Sequence, residues 1–272
     1  MPTALVEFAE LAPLGFVVGL YGTLIGAGGG FLLVPVLLLL LPDVDPAAVT
    51  SMSLAVVFFN AYSGTLSYVR MRRIDYFAAS LFVLAGLPGA VLGPVLAHQI
   101  PRAGFEPAFG VVLLAAGVWL AWRPLGGVFA ARDARPDGAT AAIQSNGYFN
   151  TRLGALAGAY IGLVSSVLGI GGGVIQVPFL VRVLRFPPHV ATATSQAVLA
   201  VLALVATLSH LALGAFHEGV DQTMYLAVGV MMGAPIGAML STRVQGSMIV
   251  RLLALALCVV GLRLTFGQMF GR

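Results

Sequence analysis

Long apolar stretches separated by short polar breaks run the whole length of the chain. They cover 11–42, 46–69, 76–101, 107–122, 153–181, 186–216, 222–242 and 252–262. Most meet the roughly 20 residues that a helix needs to cross a hydrocarbon core. The two shorter ones, 107–122 and 252–262, are expected to extend into flanking polar residues. The longest break holds Arg132, Asp133, Arg135 and Asp137 with several Gly and Ser, and reads as a linker. It divides the chain into a first repeat at 1–124, a cytoplasmic linker at 125–151 and a second repeat at 152–272. Glu7 and Glu10 stand where a secretory signal would be basic, so the first apolar stretch is expected to stay in the mature protein.

The two parts are copies. GTLIGAGGGFLLVPVLLL from Gly22 answers SSVLGIGGGVIQVPFLV from Ser165. Gly19 falls on Gly162, Thr23 on Ser166, Gly26 on Gly169, Gly28–Gly30 on Gly171–Gly173, and Pro35 on Pro178. After one inserted residue, Ala47, Thr50 and Ser51 match Ala191, Thr194 and Ser195. Agreement in order over so long a stretch marks an internal duplication. Paired Gly/Pro interruptions point to a transporter's binding site. As one helix, 11–42 would be about 48 Å long against a core of about 30 Å. Consecutive glycines are poor helix interior. Each such stretch is therefore expected to be two half-helices joined by a glycine turn, dipping to the midplane and returning to the same side.

Composition adds the solvent. The chain is 59% hydrophobic and 9% charged, with a mean hydropathy of +1.00. A soluble domain carries roughly a quarter of its residues as charged groups, so the bilayer is the medium that fits. The net charge of +4 comes entirely from arginines scattered among short loops, which suits membrane orientation rather than nucleic-acid binding. With re-entrant hairpins, one side receives eleven arginines and the other three, Arg102, Arg263 and Arg272. With full crossings the split is nine to five, a poorer match to the positive-inside rule. A hairpin plus three crossings is an odd number, so the repeats are expected to be inverted with the N-terminus periplasmic. The fold expected is an all-α polytopic membrane protein of two homologous repeats, each a broken helical hairpin plus three transmembrane helices.

The doubled G-x-G-G-G-[apolar]3-V-P signature, followed in each half by A-x-x-T-S, resembles the sulfite exporter TauE/SafE family over essentially the whole chain. The resemblance implies an inner-membrane transporter for small sulfur-containing anions, such as sulfite or an organosulfonate like sulfoacetate. Thiosulfate-uptake relatives use cysteines along their path, and the lone Cys258 does not fit such a relay.

The candidate site follows from the repeats. Half-helices starting after Gly26, Gly28, Gly29, Gly30 and after Gly169, Gly171, Gly172, Gly173 would aim free N–H groups and a positive dipole end at an anion. The competing reading is close helix packing. Thr23 and Ser166 precede the runs, while Thr50, Ser51, Thr194 and Ser195 open the next helices; these are neutral donors, unless each simply bonds its own helix. Gln176, Asn60 and Gln196 break the symmetry, standing opposite Leu33, Leu204 and Met52. An amide in lipid is costly without a partner, so each has a ligand or a structural bond. Gly154, Gly158 and Gly162, like Gly229, Gly233 and Gly237, have the spacing of packing glycines. Asp75 and Asp221 are expected to cap the helices that follow. His210 is the titratable side chain within a span, either a proton-coupling group or an ordinary interfacial histidine.

Neither glycine run completes a nucleotide fingerprint, and no cofactor or metal is expected. The partners expected are a small anion and the lipid bilayer, with a second copy of the chain as a candidate and no nucleic acid. The leading reading is alternating access by two inverted halves around a midplane anion site. A passive anion channel of the same architecture is the alternative. An intramembrane serine hydrolase built from Ser63 or Ser166 with His210 is the third, and no G-x-S-x-G elbow supports it.

Overall fold

The computed structural model describes residues 2–41, 44–121, 150–214 and 219–270, so most of the expected linker lies outside the described residues. Those described form ten helices and no strand. They are α1 (Pro2–Leu24), α2 (Gly30–Leu40), α3 (Pro46–Arg70), α4 (Tyr76–Ala97), α5 (Arg102–Ala121), α6 (Thr151–Leu168), α7 (Gly173–Arg182), α8 (Pro188–Ala212), α9 (Val220–Ser241) and α10 (Gly246–Phe270). By length and composition, α3, α4, α5, α6, α8, α9 and α10 can each cross a membrane. As expected, the spans at 107–122 and 252–262 extend into flanking residues to form α5 and α10.

Local chemistry fixes most boundaries. Pro46 and Pro188 open α3 and α8, where a missing N–H costs nothing. Asp45, Asp75 and Asn150 cap α3, α4 and α6 through their side chains, each accepting from a backbone N–H of the first turn. Asp221 does not repeat the role of Asp75. Gly219 occupies the cap of α9 in a left-handed conformation, and Asp221 lies inside the first turn.

Both long first stretches break at their glycine runs, but into unequal arms. α1 and α6 have 23 and 18 residues, whereas α2 and α7 have only 11 and 10. At 1.5 Å per residue, α6 is about 27 Å long and α7 about 15 Å. The long arms exist because small residues let them pack closely along a neighbour. Gly229, Gly233 and Gly237 of α9 lie against the backbone of α1 at Ala12, Phe16 and Leu20, and Gly158 and Gly162 of α6 lie against Phe82 and Gly86 of α4. These are packing glycines, as their spacing predicts.

The packing has an internal exchange symmetry. α1 packs on α9 as α6 packs on α4, and α3 packs on α9 as α8 packs on α4. The equivalent helices α3 and α8 pack on each other, as do α5 and α10. Both of these pairs run antiparallel. Gly64, late in α3, meets Gln196, early in α8; Gly110 meets Thr265 and Gly117 meets Cys258 across α5 and α10. One end of the bundle consequently carries Arg70 at the end of α3, Arg72 and Arg73 after it, Arg185 before α8 and Arg243 after α9; we call it the arginine-rich end. The ends of α4 and α8 and the start of α3 lie at the opposite, arginine-poor end.

Candidate functional site

The two glycine turns are built alike. Gly26, Gly28 and Gly29 have φ of 76, 76 and 83°, and Gly169, Gly171 and Gly172 have 71, 75 and 89°. That left-handed region is open to glycine at little cost and disfavours residues with a Cβ, which explains why each turn needs three. The carbonyl of Gly22 receives the N–H groups of Ala27 and Gly28, and the Ser165 carbonyl receives that of Ile170. In the short arms, Leu32 and Leu33 donate to the Gly29 carbonyl, and Ile175 and Gln176 to that of Gly172. Gly30, Phe31, Gly173 and Val174 therefore begin α2 and α7 with N–H groups that no acceptor among the described residues receives.

The turns interlock between α3 and α8. A Cβ on Gly173 would stand 2.4 Å from the Gly26 oxygen, and one on Gly30 would stand 2.8 Å from the Gly169 oxygen. Gly28 and Gly171 both rest on Val57 and Leu199, near the middle of α3 and α8. Each turn is latched by a helix of the other repeat. Ser195 of α8 donates to the Gly26 oxygen (3.0 Å), and Ser53 of α3 donates to the Gly169 oxygen (2.7 Å).

Beyond the latches the symmetry ends. Asn60 accepts from the Thr23 hydroxyl and donates to the Gly28 oxygen, both at 2.9 Å. Tyr68 donates to the Thr23 carbonyl (3.0 Å) and lies 3.2 Å from the Ser241 hydroxyl, and the Gln196 amide reaches the Gly22 oxygen (3.3 Å). The first turn is thus tied down on several sides. In the second repeat, Leu204 stands for Asn60 and Ala212 for Tyr68. Ser166 donates to the Ala90 oxygen of α4 (3.1 Å), and the buried Ser165 hydroxyl has no partner among the described residues. Beside it a cavity about the size of one water is lined by Leu54, Ser165, Ser166, Gly171, Ala203 and Ala206. At the matching positions of the first repeat stand bulky Phe59 for Ala203 and Tyr62 for Ala206, in a ring cluster with Phe58.

The other candidates divide. Ser51 donates to the Ala48 oxygen of its own helix, and Thr194 accepts from the Asp75 N–H (3.0 Å), joining α8 to the α3–α4 loop. Among the described residues, the Nε2 of Gln176, buried on α7, the Oε1 of Gln196 and the Thr50 hydroxyl, packed on Gly169, have no partner. Sequence reasoning missed Ser53, Tyr68 and Ser165. Ser53 and Tyr68 match Ala197 and Ala212, and Ser165 matches Gly22, so a search for repeated hydroxyls discards all three. No buried side chain among the described residues is Asp, Glu, Lys or Arg. Ser63 donates to the Met231 oxygen and Ser166 to Ala90, while both ring nitrogens of His210 lack a partner among the described residues, so these residues assemble no Ser–His pair.

The profile of the sulfite exporter TauE/SafE family matches residues 11–264. The chain belongs to this family. It is 27% identical to the probable membrane transporter protein YunE of Bacillus subtilis, over 97% of this chain and 99% of that one. A probable membrane transporter protein of Xylella fastidiosa is 28% identical over 86% of this chain and 84% of its own, and one of Methanocaldococcus jannaschii 27% over 75% and 74%. No solved structure matches the chain. This TauE/SafE member is a multi-pass membrane protein of transporter type, not an enzyme.

Proposed function

We propose that this TauE/SafE protein is a secondary transporter that moves a small sulfur-containing anion, sulfite or an organosulfonate, across the bacterial inner membrane. The observation that carries the reading is the pair of interlocked glycine turns, whose short helices start with unclaimed N–H groups at the centre of the α3–α8 contact. Backbone of this kind at membrane depth belongs at a binding site, and helix N-termini favour anions. The substrate donors are the N–H groups at Gly30 and Gly173 with the free groups of Ser165, Thr50 and Gln176. The space beside Gly171 admits a water and not an oxyanion, so binding requires the second turn to move.

The antiparallel pairing of α3 with α8 and of α5 with α10 supports inverted repeats, and alternating access follows as rocking of one repeat against the other. The arginine-rich end is cytoplasmic by the positive-inside rule, which leaves the start of α1 on the periplasmic side. The test is a thermal-stability screen of the purified protein with sulfite, sulfate, thiosulfate, sulfoacetate, taurine and acetate. Stabilisation by a sulfur anion, abolished by Gly172→Leu, supports the site. Failure of every anion to stabilise, with transport intact in Gly29→Leu and Gly172→Leu, rejects it. Counterflow in proteoliposomes separates the mechanisms, because substrate on the far side accelerates uptake by a transporter and not by an open channel.

A further inference from the structure

His210 stands out among the buried groups that the turns do not use. It sits in the last turn of α8 at the arginine-poor end, is 0% exposed, and neither ring nitrogen has a partner among the described residues. A neutral imidazole carries one N–H donor and one lone-pair acceptor, so leaving both unmatched in an apolar site is unfavourable. The neighbouring ring is His98, which follows α4 and is exposed, with its centroid 6.0 Å away. Helical side chains lean toward the N-terminus and cover the preceding turn. That turn carries Ala206, which lines the cavity with Ser165 and Gly171. His98 thus stands at the surface, His210 beneath it, and the cavity one helical turn deeper along the same α4–α8 seam. Of the helices packed on α8 here, α3 brings Asp45 at its cap, already accepting from the Ala47 N–H, and α4 brings His98.

We infer that His210, with His98 above it, is a binding station for the transported anion on its way to or from the cavity, and that the station passes oxyanions carrying a single negative charge. The inference rests on the anion-transporter reading and narrows it. A neutral imidazole supplies one N–H to one anionic oxygen, and the deeper site supplies N–H and O–H donors only. No arginine or lysine lines the cavity or lies on α4 or α8, so nothing along this seam compensates a second negative charge. A sulfonate with no other charged group fits, and sulfate or a sulfonate bearing a carboxylate does not.

The experiment uses the full chain in proteoliposomes with labelled methanesulfonate, sulfate and sulfoacetate as probes. The native protein is expected to take up methanesulfonate and to discriminate against both dianions by about tenfold or more. His210→Ala is expected to slow methanesulfonate uptake by about tenfold, the loss of one hydrogen bond to a charged group, and His210→Gln, which keeps an N–H donor, to recover most of it. His98→Ala, at an exposed ring, guards against misfolding as the explanation and is expected to raise the concentration for half-maximal uptake. Equal uptake of sulfate and methanesulfonate overturns the single-charge inference. Unchanged methanesulfonate uptake in both His210→Ala and His98→Ala overturns the station while leaving the transporter reading intact. If no anion moves or stabilises the native protein, the transporter reading itself falls, and the station with it.

Discussion

Replacing Asn60 by the residue that its own counterpart carries, Leu204, isolates the feature that distinguishes the two turns. Asn60 is 0% exposed and forms two bonds of 2.9 Å, one from the Thr23 hydroxyl and one to the Gly28 oxygen. Asn60→Leu leaves both groups inside the protein. A buried polar group left without its partner costs about 1–3 kcal/mol. Thr23 can recover part by turning its hydroxyl onto its own helix, a common alternative for threonine. The Gly28 oxygen has no such recourse, because the turn holds it in place. The net loss is about 2–4 kcal/mol, and for a chain of this size roughly 2–4 °C per kcal/mol gives a fall in Tm of about 4–16 °C.

The assay is thermal unfolding of the purified protein in one detergent, with Thr23→Val and the double variant completing a cycle. If the three groups form one unit, the double variant loses less than the sum of the singles by about 0.5 kcal/mol or more, since each single removes the same Thr23–Asn60 bond. Additive losses together with a Tm change below about 2 °C would refute the view that Asn60 anchors the first turn. Anion-dependent stabilisation, measured alongside, is expected to survive in Asn60→Leu, because the proposed ligand donors lie mainly on the second turn.

Four further outcomes follow from the geometry. Tyr68→Phe removes the hydroxyl that bonds the Thr23 carbonyl and approaches Ser241, and should lower Tm by several degrees in the same assay. Ser165→Ala deletes a hydroxyl with no partner, so stability should stay level or rise while the anion affinity read from thermal shifts falls several-fold. Gly173→Ala places a Cβ 2.4 Å from the Gly26 oxygen and 2.7 Å from the Ala27 Cα, so it should part the turns and abolish counterflow in folded protein reconstituted into liposomes. In a Cys258→Ser background, a cysteine at Gln99 should react in whole cells with an impermeant maleimide and one at Arg73 should not, which tests the proposed orientation.

Periodicity and repetition carried most of the architecture. The break at each glycine run, the proline starts of α3 and α8 and the packing glycines of α6 and α9 are written in local residue chemistry. The unequal arms were less legible, because the length of α1 is decided by its contact with α9, more than 200 positions along the chain. The glycines of the candidate site were found because a left-handed turn leaves a compositional trace, and its latches were not, because a serine bonding a distant carbonyl leaves none. Ser51 and Ser53 illustrate the difference. The first has a counterpart at Ser195 but donates to its own helix, whereas the second has none and holds the turn of the other repeat.

The same divergence gives the two repeats different mechanical roles. Interlocked turns of equal rigidity would leave no element free to open, and turns of equal looseness would leave no fixed reference against which one could move. Here Asn60, Tyr68, Gln196 and Ser195 hold the first turn, while the second has the Ser53 latch, the Ser166 bond to α4, an unpartnered Ser165 hydroxyl and a water-sized cavity beside it. Filling space beside a turn and bonding its carbonyls both raise the cost of displacing it. The second turn is consequently the cheaper one to move, and the cavity lies against it. Ala203 and Ala206 line it beside Ser165, so under the proposed transport reading the step that enlarges it to the size of an anion belongs to α6 and α7, with α1 and α2 as the frame they move against.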